Sequence, residues 1–91
     1  VNVWISELDN PVDPARTDRF EYQAENYRKV VEICLAIPRC TDIQIWGVQD
    51  GPSYWFTLPY EDVSPLLFDR DFQPKPAYFA VRDALLRGRP H

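Results

Sequence analysis

The chain has no methionine, a single histidine and only two cysteines in 91 residues. Its ten Lys and Arg face 14 Asp and Glu, a net charge of −4. Cations this sparse cannot form the basic stripe that neutralises phosphates, so nucleic acid is excluded as a partner. An anionic membrane surface is disfavoured for the same reason. No apolar run approaches the ~20 residues of a membrane span. Two thiols with no nearby histidine cannot complete a structural zinc site, and neither a metal nor a cofactor is expected. No signal peptide, internal repeat or low-complexity tract is visible. The length formally suffices for one small domain, but not for a closed eight-stranded barrel, which takes roughly 250 residues. With no methionine and with Val1 already in or beside a strand, the expectation is a piece of a longer chain rather than a complete small α/β domain.

What is present is an ordered β-α-β-α pattern, which implies a parallel sheet. Val1 to Glu7 alternates with period two, with Val1, Val3, Ile5 and Glu7 on one face. Glu7 therefore stands at the C-terminal end of a strand, followed two residues later by Asp9. In a parallel α/β barrel that end carries the reacting groups. Asn10 to Pro14 is a loop by its proline content. A helix is expected from about Thr17 to Ala36, with Phe20, Ala24, Tyr27, Val31 and Cys34 as its apolar stripe. Thr17 is a candidate N-cap, and Glu21, Glu25, Arg28, Lys29 and Glu32 form a solvated face. A second strand is expected from Asp42 to Val48, burying Ile43, Ile45 and Val48. A turn at Asp50 to Ser53 then opens an aromatic loop. Pro65 to Asp69 reads as an apolar patch packed under that loop, and Asp50 as a residue that orders the turn. Pro76 suits the first turn of a final helix from Ala77 to Leu86, which Gly88 stops. Phe79 is expected in the core, and Arg89 to His91 as a frayed end.

Two features leave alternatives open. Cys34 and Cys40, six positions apart, favour a local disulfide worth roughly 2 kcal/mol, hence an oxidising compartment. The alternative is a pair of buried free thiols. Trp46, Tyr54, Trp55, Phe56 and Tyr60 cluster around the loop that follows the second strand. Loops carry function more often than cores do. These flat rings suit sugar faces, a protein partner or simple loop packing.

Together these strings resemble the end of a glycoside hydrolase family 10 domain, an endo-β-1,4-xylanase. The family's seventh-strand motif, (I/V)-T-E-L-D, is matched by Ile5-Ser6-Glu7-Leu8-Asp9, with Ser for Thr. Its Q-A-x-x-Y is matched by Gln23 to Tyr27, and its cysteine pair by Cys34 and Cys40. Its W-G-(V/L)-x-D is matched by Trp46 to Asp50. Its P-L-L-F-D and P-K-P-A-Y are matched at Pro65 to Asp69 and Pro74 to Tyr78. The likeness covers nearly the whole chain.

The resemblance implies the C-terminal β-α-β-α portion of a (β/α)8 TIM barrel, not a complete barrel, over residues 1–91. It implies a retaining endo-1,4-β-xylanase that cleaves internal bonds of xylan or xylo-oligosaccharide. Glu7 aligns with the nucleophile, Asp9 with an acid supporting the hydrogen-bond network, and Trp46 with the floor beneath the reacting sugar. The family's loop reads D-x-x-S-W; here Tyr54 takes the Trp place without a gap, and Trp55 takes it after a one-residue shift. The general acid/base Glu belongs to the fourth strand, outside this sequence, so the 91 residues are expected to be inactive without the remainder of the barrel. Secretion to the extracellular space is also implied. The rival reading is a non-catalytic carbohydrate-binding module that uses the aromatic loop. An inverting hydrolase and a structural domain that has lost catalysis are weaker rivals.

Overall fold

A computed structural model describes residues 2–13, 15–45, 47–50 and 64–89. Four elements occur in order: β1 (Val3–Leu8), α1 (Arg19–Ala36), β2 (Cys40–Ile45) and α2 (Pro76–Arg87). β1 and β2 pair in parallel. Parallel pairing demands a crossover, which α1 provides. The register contains two compensating irregularities. From Val3↔Cys40 to Trp4↔Asp42 the extra residue is in β2; from Ile5↔Ile43 to Leu8↔Ile45 it is in β1. Ser6 and Glu7 thus lie opposite the single Gln44, a bulge.

The core sits between the helices. Tyr27, Val31 and Cys34 of α1 are buried, as are Ala77 and Ala84 of α2, seven residues apart on one face. Small residues on that face let the two helix backbones approach closely. Cys34 and Cys40 form a disulfide, tying the end of α1 to the first residue of β2 and deciding against free thiols. The stripe on α1 differs from expectation by one position. Gln23, not Ala24, is fully buried with Tyr27, Val31 and Cys34. Gln23 lies four residues before Tyr27 and eight before Val31, so it shares their face; its Nε2 makes two hydrogen bonds that offset part of the cost of burying an amide, while its Oε1 has no partner among the described residues.

Several local expectations are corrected. α1 starts at Arg19 with Asp18, not Thr17, as N-cap residue, and no side chain caps it. The Asp18 carboxylate is instead held by the Arg16 guanidinium, which keeps its pKa below the ordinary carboxylate range. On the solvated face Arg28 bridges Glu25 and Glu32, and its hydrogen bond holds the Glu25 carboxyl below its usual range. β2 ends at Ile45 rather than Val48, and Val48 is exposed. Gly47 at φ 134 breaks the extended geometry there, a conformation that a side chain disfavours. Phe79 is 40% exposed, not core; it packs edge-on to Tyr78 and beneath the Arg82 guanidinium. Arg89 is not frayed. It donates to the carbonyls of Leu35, Ile37 and Cys40 at 2.9, 3.1 and 2.6 Å. α1 has no basic residue in its own last turn, so Arg89 brings the cation that a helix C-terminus favours.

α2 follows the expected signals: Pro76 stands in its first turn and Gly88, at φ 72, at its C-cap. Before it, 64–75 folds back along the exit of β2. Phe68 bridges to Gln49 in parallel and to Pro74 in antiparallel fashion. Pro65 and Leu66 in this return are fully buried. The loop under which they were expected to pack lies outside the described residues.

Candidate active site

Glu7 sits in the β1 bulge, exposed, with φ 55. A non-glycine residue with positive φ is uncommon, and such strain concentrates at functional sites. Parallel strands place β1 and β2 with their C-terminal ends side by side. The bulge also breaks the alternation on which the sequence placed Glu7 with Val3 and Ile5: the inserted residue shifts the pleat, so a period-two count does not carry through to position 7.

Asp9, just past β1, is half-buried. It lines a cavity of about 330 Å³ with Leu8, Asn10, Asn26, Tyr27, Lys29 and Val30. This hollow lies between the strand end and α1. Trp46, Tyr54 and Trp55, expected to contact sugar, lie outside the described residues. Among the described residues no cluster of His, Cys, Asp or Glu has the makings of a metal site.

Beneath the strand ends lies a polar network that sequence reasoning had not assembled. The Asn10 main-chain N–H donates to Pro65 O at 3.0 Å. Tyr27 Oη donates to the same carbonyl at 2.5 Å. Gln23 Nε2 donates to Asn10 O at 2.8 Å and Ser64 O at 2.6 Å, while Asn26 Nδ2 donates to Asn10 Oδ1 at 3.0 Å. Lys75 Nζ donates to Asp50 Oδ2, Ser64 O and Leu66 O at 2.8, 2.8 and 2.6 Å. Asp50 Oδ1 accepts the Leu66 N–H at 2.8 Å. Asp50 thus does more than order a turn: its side chain and that of Lys75 are each only 5% exposed. Gln23, Tyr27, Asp50 and Lys75 all stood inside strings noted in the sequence. The signal for Gln23 was a polar residue on a buried stripe. Nothing local marked Lys75 and Asp50 as a pair, because 25 positions separate them.

The sequence profile of glycosyl hydrolase family 10 matches residues 1–84. The chain belongs to that family. Endo-1,4-beta-xylanase B of Thermotoga neapolitana is 36% identical over 89 residues, covering 93% of this chain and 25% of that protein. Endo-1,4-beta-xylanase 2 of Aureobasidium pullulans is 37% identical over 82 residues, 89% of this chain and 23% of that protein. Native xylanase 10B from Thermotoga maritima superposes with a TM-score of 0.79 at 31% identity, covering 96% of this chain and 28% of that one. The chain therefore spans about a quarter of the length of the curated relatives it matches. Its two parallel strands and two helices are consistent with a portion of the family 10 TIM barrel.

Proposed function

We propose that residues 1–91 are the C-terminal β-α-β-α portion of the catalytic barrel of a retaining endo-1,4-β-xylanase, with Glu7 as its nucleophile. The observation that carries this reading is the strained bulge at Glu7, at the C-terminal end of a parallel strand, where barrel enzymes keep their reacting groups. The names of the relatives support xylan as substrate. A solved relative, xylanase 10B from Thermotoga petrophila RKU-1, is in complex with xylobiose, which supports xylo-oligosaccharide as ligand.

In this mechanism a Glu7 oxygen attacks the anomeric carbon as the glycosidic C–O bond breaks. A second carboxyl group, about 5–5.5 Å away, gives its proton to the leaving oxygen. The resulting carboxylate then takes a proton from water. That water attacks the anomeric carbon and releases Glu7 with net retention. The second carboxyl group belongs to a part of the barrel outside these residues, so the 91 residues alone are inactive. Asp9 supports the hydrogen-bond network, and Trp46 with Tyr54 or Trp55 receives the sugar faces, since flat rings match the apolar faces of pyranoses. The Cys34–Cys40 disulfide supports an extracellular setting.

The test is a 2-fluoro xylobioside with a good leaving group, given to the parent protein. The expected result is a glycosyl adduct on the peptide containing Glu7, and a loss of turnover of about a thousandfold or more in Glu7→Gln. Binding of xylohexaose without an adduct, and with Glu7→Gln undiminished, would favour a carbohydrate-binding module.

A further inference from the structure

We propose that Gln23 is a positioning residue for Glu7 and acts through Asn10. The inference rests on the reading of Glu7 as the nucleophile. β1 carries one residue more than β2 across the bulge, and Leu8↔Ile45 is the last pair of the ladder. A terminal pair frays readily, and a slip of one residue turns a strand side chain to the other face. A residue at φ 55 also keeps that conformation only where its surroundings over-determine it. The hold comes two residues past Leu8. The Asn10 N–H donates to Pro65 O, its carbonyl accepts from Gln23 Nε2 and its side-chain Oδ1 accepts from Asn26 Nδ2. Gln23 and Asn26 are three positions apart and so neighbours on α1. The exit of β1 is thus fastened to the helix at two points and to the return segment at a third. Gln23 Nε2 also donates to Ser64 O, which ties the same amide to that segment. Gln23 is fully buried, where water does not compete for these bonds. Its Oε1 has no partner among the described residues, so an apolar side chain would pack on that stripe at lower cost; what the amide supplies is the link.

The test uses the parent protein and the 2-fluoro xylobioside, reading the inactivation rate constant ki and the dissociation constant Ki separately. All proteins are assayed well below their melting temperatures. Gln23→Met removes both donated bonds at nearly constant volume. The expected result is ki about tenfold lower with Ki within about twofold, because a nucleophile displaced by about 1 Å weakens the transition state and not the ground state. Arg89→Ala, which loosens the fold at the opposite end of the strands, is the control, and its ki stays within about twofold of the unmodified protein's. Asn26→Ala decides if Gln23→Met does not fold. Asn26 is half-buried and its truncation removes the bond to Asn10 Oδ1, so ki is expected to fall about threefold. An unchanged ki in Gln23→Met, or in Asn26→Ala where that variant decides, overturns the proposal. So does an equal fall in Arg89→Ala, or a Ki that rises as much as ki falls. An unmodified protein that takes no adduct on Glu7 overturns the proposed function and this inference with it; an adduct on Glu7 formed at the same rate in every variant overturns this inference alone.

Discussion

In the proposed mechanism Glu7 answers to two demands. That mechanism needs it at the strand end to attack a sugar, yet its φ of 55 is one that a glutamate adopts at a cost, of order 1 kcal/mol. Asn tolerates that backbone region better. Glu7→Asn is therefore expected to raise stability by about 0.5–1 kcal/mol while abolishing turnover, the exchange of stability for activity seen at strained sites. A denaturant midpoint shifted upward at unchanged slope would show it; a midpoint shifted down would place the strain elsewhere. The identity and address of Glu7 were legible in the strand motif. Its backbone state was not, because it follows from the register against β2, and no local pattern records which strand takes the extra residue. Gln23 is the converse case. Its place on the stripe with Tyr27 and Val31 is visible in the spacing, but an apolar stripe points to Ala24 where the buried amide lies.

At the level of elements, the exit of α1 is held by two devices from different parts of the chain. The Cys34–Cys40 disulfide was the favoured reading of the sequence over free thiols, and the structure forms it. The Arg89 clamp on Leu35, Ile37 and Cys40 carbonyls was not expected, because 49 to 54 positions separate the partners. Arg89→Ala is expected to cost about 1 kcal/mol, since the guanidinium is largely exposed and its bonds compete with water. Faster amide exchange at Ile37 and Cys40, the two residues whose N–H groups close this turn, would locate the loss. Protection unchanged at both would show that the disulfide holds the turn unaided. The element order, the helices and the C-cap at Gly88 all followed from periodicity and from proline and glycine signals. Strand limits moved by up to three residues, because the conformation of Gly47 ends β2 sooner than its β-branched sequence does.

On the scale of the molecule, the described chain leaves apolar groups uncovered. Trp4 on β1, Ile33 on α1 and Leu86 on α2 are 64%, 58% and 78% exposed. The two-stranded sheet has both outer edges open among the described residues. The radius of gyration, 13.7 Å, exceeds the ~12 Å of a closed domain of this length. The isolated 91 residues are therefore expected to self-associate through these faces. Sedimentation at rising concentration is the check, and a monomer with a sharp cooperative melt would contradict it. By itself the sequence determined the family, the parallel β-α-β-α order and the carboxylate at the end of β1, and it favoured the disulfide over free thiols. Each of these is written in local spacing or in contiguous motifs. The bulge under Glu7, the Lys75–Asp50 pair and the Gln23 link between Asn10 and Ser64 were decided only by tertiary structure. They depend on which distant segments meet in space, and a buried polar group reveals its partner only once the chain has folded around it.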